Sequence, residues 1–296
     1  HPRQHRCNAK RELVQMVRRE VLAEGVEVYC GDCLEVLPTL ASVSMVMTSP
    51  PYDGIRDYGS GFEGVDCLRV ISLLADRLLP GGVVVWNVAD QTVDGSETGT
   101  SFKHALHAKS CGLRLHDTMI YCKESVTFPD ANRYHPAFEY MFVFSNGAPA
   151  NFNGIRDWRN KWGGSKMHGR TYRNQDGSTS KISGHGRLVP EYGLRRNWWV
   201  IANPYTGETS GHPAPMPYSM AFDHIATWSS DSDTVLDPFL GSGTSGVAAV
   251  RQGRKFTGIE IDPGYFDIAC RRIEAALKQP DMFIDPPKPM KQEALL

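Results

Sequence analysis

The ten residues 237–246, DPFLGSGTSG, limit the possible folds of this 296-residue chain more than any other stretch. A short apolar run precedes them, small and apolar residues at helical spacing follow, and Gly241, Gly243 and Gly246 match GxGxxG. Glycines so placed permit a tight turn and close backbone approach to a ligand, which is how a parallel βαβ unit receives a nucleotide. Glu260 lies 19 positions after Gly241 at the end of the next apolar run, where a ribose-binding acid belongs. No Lys follows the last glycine, so the stretch is not a Walker phosphate loop. The glycines alone fit a nicotinamide dinucleotide as well as S-adenosylmethionine (AdoMet). Against a dinucleotide stands Asp237: an acid at that strand tip repels pyrophosphate but can hold the ammonium of a methionine moiety.

The same strand and helix alternation runs through most of the chain. Residues 10–24 put Leu13, Val14, Val17, Val21 and Leu22 on one helical stripe ended by Gly25, so a helix is expected there. Residues 26–30 read as a strand, with Asp32 just past its end and within reach of a ligand. A helix is expected over 66–79, a strand over 83–88, a helix up to 110, and strands over 115–122 and 139–145 forming an antiparallel edge pair. After a break come a helix over 217–228, a strand over 234–237, a helix over 244–252, a strand over 256–261, and a helix capped by Asp262 and Pro263. On that last helix Phe266, Cys270, Ile273 and Leu277 share a face. The expected fold class is α/β, a doubly wound, mostly parallel sheet with one insertion, binding its ligand beyond the carboxyl ends of the strands.

A second stretch carries chemistry. The apolar run 43–47 leads directly into Thr48, Ser49, Pro50, Pro51 and Tyr52. Two consecutive prolines end any ladder or helix and remove two amide donors, leaving carbonyl oxygens as acceptors. With a hydroxyl before them and an aromatic ring after, the corner suits the exocyclic amine of a nucleobase.

A hydrophobic share of 41% with 22% charged residues places the chain among ordinary soluble proteins. No apolar run approaches the roughly 18 residues of a membrane helix, and a cytoplasmic location is expected. The seven cysteines are expected to be reduced, and Cys30 and Cys33, an isolated CxxC, to pack at a strand-to-helix junction. No metal site is expected. The net charge of −1 hides segregation, since residues 151–200 hold ten basic side chains against three acidic ones. Such an asymmetry points to a polyanion surface, for which Arg156, Lys161, Arg170, Arg173, Arg195 and Arg196 are candidates.

Together these residues resemble the amino-directed DNA methyltransferases, in the permuted β group that places the catalytic motif before the AdoMet loop. The tetrad Ser49 to Tyr52 looks like the group's catalytic motif. The run Asp237, Phe239, Gly241, Ser242, Gly243, Thr244 looks like its AdoMet loop, and Gly31 with Asp32 like its opening motif near the adenine. His212 lies in a segment similar to the one that touches the methionine end, and residues 139–145 resemble a late strand motif. The resemblance implies a catalytic half over 1–147, a target-recognition insertion over 148–204 and an AdoMet-binding half over 205–296. It implies AdoMet as cofactor and duplex DNA as partner, and it leaves room for a cognate restriction endonuclease. Asp285, Pro286 and Pro287 mimic the catalytic motif, but Lys288 follows them and no strand precedes.

In such an enzyme the target nucleotide leaves the stack and enters the pocket, with Tyr52 as stacking partner. Acceptors on the amine hydrogens then free the nitrogen lone pair to attack the sulfonium methyl. Ser rather than Asp at position 49 resembles enzymes that modify cytosine N4 more than those that modify adenine N6. None of the 19 prolines is followed by Cys, which argues against the cytosine-C5 route. A DNA-binding protein without catalysis, and a methyltransferase acting on RNA or protein amides, are the competing readings.

Overall fold

The computed structural model describes residues 17–51, 65–123, 132–167, 171–181, 186–202 and 216–279. Its elements are, in chain order, β1 (Arg18–Ala23), β2 (Val26–Cys30), α1 (Cys33–Val36), β3 (Val43–Thr48), α2 (Cys67–Arg77), β4 (Leu78–Val88), β5 (Thr92–Val93), β6 (Ser96–Glu97), α3 (Thr100–Ser110), β7 (Arg114–Lys123) and β8 (Phe138–Ser145). Then follow β9 (Trp158–Arg159), β10 (Thr171–Arg173), β11 (Thr179–Lys181), β12 (Tyr192–Gly193), β13 (Trp198–Ile201), α4 (Tyr218–Trp228), β14 (Thr234–Asp237), α5 (Thr244–Arg251), β15 (Lys255–Glu260) and α6 (Pro263–Lys278).

Nine strands form one sheet in the order β1-β2-β15-β14-β3-β4-β8-β7-β13. From β2 to β4 all neighbours are parallel, while β8 runs antiparallel to both β4 and β7. Strand β3 is a near-continuous apolar run because both its faces are covered, as a central parallel strand requires. On one face Met45, Met47, Val85 and Val143 pack with Met220, Ile225, Phe266 and Ile273 of α4 and α6. On the other, Val46, Val84, Trp86 and Phe144 pack with Val70, Ile71, Leu74 and Ala105 of α2 and α3. The helix starts follow the sequence, since Asp66 caps α2 and Asp262 caps α6, each carboxylate accepting a backbone N–H of the first turn.

Four expectations change. The helix expected over 10–24 is replaced, where residues are described, by strand β1 paired antiparallel with β2 across a turn at Gly25, whose φ is +73°. Of the stripe, Leu22 packs against the core while Val17 and Val21 are 43% and 62% exposed, and the open edge of β2 takes the backbone. Strand β4 begins at Leu78 rather than at position 83, with Gly81 at φ +78° donating its N–H to the Asn146 carbonyl. The β8–β7 pair is not the sheet edge, because β13, expected inside the insertion, adds itself parallel to β7. On α6 the buried face is completed by Ala276, while Leu277 is exposed.

Cys30 and Cys33 are both buried at the β2–α1 junction, and burial pushes the Cys33 thiol up to about 12. Among the described residues no helix is long and apolar enough to cross a membrane. Residues 1–16 and the proline-rich residues from 280 onward, Asp285 to Pro287 included, lie outside the described residues.

Candidate active site

The connection after β14 leads through α5 to β15 on one side, whereas β3 leads through α2 to β4 on the other, so the winding reverses between β14 and β3. A crevice for ligand opens at such a reversal, beyond the carboxyl ends of the strands. The glycine turn leaves the tip of β14 and the proline corner leaves the tip of β3. Two motifs separated by about 190 positions in sequence thus meet at the one place this topology prepares for a ligand.

Their junction is a buried polar cluster. The Thr48 hydroxyl donates to Asp237 Oδ1 over 2.6 Å, the Phe239 N–H donates to the same oxygen over 3.0 Å, and the Ser245 hydroxyl donates to Oδ2 over 2.5 Å. Asp237 is 2% exposed, and burial raises its carboxyl above the usual range against the pull of these donors. From the sequence this acid is expected to hold the ammonium of the cofactor. The geometry instead makes it an internal tie between the strand tip, the start of α5 and the residue preceding the proline corner.

The turn itself admits only glycine at two points. Gly243 has φ +88°, and a Cβ there would stand 2.9 Å from the Ala269 Cα of α6. At Gly246 a Cβ would meet the Ile273 side chain at 2.5 Å, so α5 can lie this close to α6 only without side chains. Arg272 donates to both the carbonyl and the hydroxyl of Ser242, holding the turn from the α6 side. Glu260, at the tip of β15, accepts the Gly241 N–H at 2.7 Å on one oxygen and the Asp262 N–H at 2.9 Å on the other. Burial pushes its carboxyl up to about 7. The Gly31 N–H donates to the Glu260 carbonyl over 2.9 Å, which brings the half-buried Asp32, cap of α1, to the neighbouring strand tip. Phe239 is half-buried, edge-on to Trp86 at 6.1 Å.

Two carboxylates, of Asp32 and Glu260, therefore stand at the strand tips beside the glycine turn, with Asp237 tied inside it. Acids so placed suit a ligand with a cationic sulfonium and hydroxyl donors and oppose a pyrophosphate, so the residues present fit AdoMet.

At the corner Pro50 is buried, and Ser49 and Pro51 are half-buried. Tyr52 and His212 lie outside the described residues. On the neighbouring strands, Asn87 Nδ2 donates to Glu139 Oε2 over 2.6 Å, and Lys123 Nζ pairs with Glu139 Oε1 at 2.7 Å. Residues 139–145 resemble a late strand motif in the sequence, but the partnership of Glu139 with Asn87 and Lys123 was not legible there. Its signal was a charge within the otherwise apolar run of β8, and Glu139 is only 6% exposed.

The basic segment divides in two. Arg156, Lys161, Arg173 and Arg196 are exposed, and Arg170 lies outside the described residues. Arg195 is not a surface cation: it pairs with Asp157 at 2.6 Å and Asp223 at 2.6 Å and stacks over Trp199. It fastens the insertion to α4, and its place among the DNA-binding candidates is withdrawn.

The fold and the joined motifs define an AdoMet-dependent methyltransferase. A family model described as DNA methylase, for enzymes acting on N6 and N4 amines, matches residues 43–271. The orphan methyltransferase M.BamHII of Bacillus amyloliquefaciens is 43% identical over 252 residues, covering 82% of this chain and 90% of its own. M.Cfr9I of Citrobacter freundii is 25% identical, covering 84% and 88%. Among solved structures, M1.HpyAVI with bound AdoMet superposes with TM-score 0.57 at 21% identity, covering 83% of this chain and 98% of the other. The PvuII cytosine-N4-specific DNA methyltransferase superposes with TM-score 0.59 at 19% identity, covering 86% and 87%. This chain belongs to the amino-directed DNA methyltransferases and uses AdoMet as its cofactor.

Proposed function

We propose that the chain transfers a methyl group to the exocyclic N4 amine of cytosine in duplex DNA, after the target nucleotide is flipped out of the stack. The observation that carries this reading is the Thr48–Asp237 hydrogen bond, which seats the Ser49 corner directly against the AdoMet turn. The Ser49 hydroxyl and the Pro50 carbonyl accept the two amine hydrogens and pull the nitrogen toward a tetrahedral geometry. Its lone pair, otherwise delocalised into the ring, then points at the donor. AdoMet, when bound, would supply the electrophilic methyl and leave as the neutral thioether S-adenosylhomocysteine, the methylated nitrogen giving up one proton. Pro50 and Pro51 hold the acceptors rigid, so the rate comes from alignment and fixed dipoles without a covalent enzyme intermediate. Tyr52 stacks on the flipped base. Asp32, Phe239, the 241–244 turn and Glu260 line the cofactor side, and His212 is assigned to it from the family resemblance alone.

Ser at position 49 favours cytosine N4; adenine N6 is the second reading and uses the same acceptors. The 43% identical relative is named an orphan methyltransferase, which favours a chain working without a partner endonuclease. Incubating the chain with AdoMet and duplex DNA, then digesting the DNA to nucleosides and weighing them, tests the proposal. N4-methylcytosine is expected. N6-methyladenine overturns the base assignment, and methyl transfer to RNA or protein with none to DNA overturns the substrate.

A further inference from the structure

Four neighbouring strands end their apolar columns on one face of the sheet. Met45 and Met47 of β3, Val83 and Val85 of β4, Met141 and Val143 of β8, and Met119 and Tyr121 of β7 are buried in the core on the α4 side. Side chains alternate along a strand, so the next positions on that face, toward the crevice, are Ser49, Asn87, Glu139 and Lys123. Every column turns polar at the same end. The register staggers the four into a rising diagonal. Thr48 pairs with Trp86, which sets Ser49 beside Asn87; Asn87 pairs with Met141, two residues short of Glu139; Glu139 pairs with Tyr121, two residues short of Lys123. Side chains close the steps. Glu139 Oε2 accepts from Asn87 Nδ2 over 2.6 Å, and Oε1 meets Lys123 Nζ at 2.7 Å. Asn87 and Glu139 are 3% and 6% exposed, whereas the Lys123 side chain keeps 27% of its surface open.

We propose that Lys123 is a base-specificity residue, its ammonium donating to the O2 carbonyl of the flipped cytosine, and that Glu139, tied to β4 through Asn87, is the positioning residue that aims it. The inference rests on cytosine in duplex DNA being the substrate. The glycine turn, Asp32 and Glu260 stand at β14, β2 and β15 on one side of β3, and the polar diagonal stands at β4, β8 and β7 on the other. A methyl donor at the turn and an amine at Ser49 leave the ring of the base to extend away from the donor, over β4 and β8. Two strand spacings, about 10 Å, match a pyrimidine with a hydrogen bond at each end. Lys123 carries three N–H donors, of which Glu139 takes one. Beyond its amine, cytosine presents two acceptors, N3 and O2. Adenine held by its own amine presents N1 and then a C–H bond, so an ammonium facing that second position favours one base over the other. A lysine stem has many rotamers, and the covered carboxylate of Glu139 fixes its head in one place.

The test first maps the methylated base in plasmid DNA, then compares duplexes carrying cytosine or 2-thiocytosine at that position, using the full chain as wild type, Lys123→Met and Glu139→Gln. A thiocarbonyl is the poorer hydrogen-bond acceptor. Wild type should lose about tenfold in kcat/KM on the 2-thio duplex. Lys123→Met should lose about tenfold on the cytosine duplex and show little further loss on the 2-thio one. Glu139→Gln keeps an acceptor for Asn87 but removes the charge that holds the ammonium, so it should shrink the same discrimination. The double variant leaves neither charge buried, guards against misfolding of the single ones, and should behave as Lys123→Met. AdoMet binding by calorimetry should match wild type throughout. Equal discrimination in wild type and variants, or undiminished activity of Lys123→Met on cytosine, overturns the inference alone, since wild type still yields N4-methylcytosine. N6-methyladenine or no methylated base from wild type overturns the cytosine reading together with it.

Discussion

The Thr48 hydroxyl and the Asp237 carboxylate, 189 positions apart in the chain, share a 2.6 Å hydrogen bond inside the protein. Thr48 is fully buried and immediately precedes Ser49; Asp237 is the last residue of β14 and begins the glycine turn. A single contact therefore ties the Ser49 corner to the glycine turn. Thr48→Val keeps the shape and removes the donor, leaving a buried carboxylate one partner short at a cost of about 1–3 kcal/mol. Chemical denaturation should show that loss, and single-turnover methylation should slow about tenfold or more with KM for AdoMet less affected, because a misplacement of about 1 Å is costly in rate. Thr48→Ser should recover most of both.

Gly243→Ala places a Cβ 2.9 Å from the Ala269 Cα at a φ of +88°. The left-handed conformation alone costs about 1–2 kcal/mol, and the contact is with backbone, which cannot step aside. The turn must shift away from α6, so AdoMet binding by calorimetry should weaken at least tenfold. Gly253→Ala, where a Cβ meets nothing within 4 Å, should leave AdoMet binding intact.

Glu260 supplies a pH dependence. Its folded carboxyl lies near 7 against an ordinary value of 4.5, because burial disfavours the charge. A raised folded value means that the native state holds its proton more tightly than the unfolded chain, so this contribution to stability is full below pH 4.5 and is lost as pH rises through 7. Glu260→Gln is uncharged at every pH. Between pH 5 and pH 8 the melting temperature of wild type should therefore drop relative to that of Glu260→Gln; parallel curves would show that the carboxylate is not strained by burial.

Arg195 pairs with two carboxylates that are themselves largely covered, and burial raises the Asp223 carboxyl even with the guanidinium beside it. Arg195→Met should cost about 3–5 kcal/mol by stranding that pair of acids. Since the Arg195 guanidinium is occupied by these two carboxylates, the salt slope of DNA binding should stay at the wild-type value. A reduced slope in Arg195→Met would return the residue to the DNA surface.

The elements legible in the sequence are those whose identity is written locally. The turn Asp237–Gly246 announces itself because only glycine tolerates its left-handed backbone and the close approach of α6. The corner at Ser49 to Tyr52 does so because two prolines have few permitted conformations. Apolar periodicity likewise marked α2, α3, α5 and β14 to within a few residues, since each meets the core along one regular face. From these the fold class, the cofactor and the family followed.

Tertiary structure decided what depends on neighbours. Residues 18–23 lie in a helical stripe yet form a strand, because the edge of β2 offers them backbone hydrogen bonds. A four-residue apolar run at Trp198–Ile201 is too short to identify alone, and becomes a sheet strand only through its place beside β7. Charge is equally ambiguous in one dimension: Arg195 and Arg196 are adjacent and alike in sequence, but one closes a buried ion cluster and the other lies on the surface, since burial belongs to the packed molecule and not to the residue. The meeting of Thr48 with Asp237 is of the same kind, as the reversal of winding between β3 and β14 is set by strand order, a property that no local stretch of the chain contains.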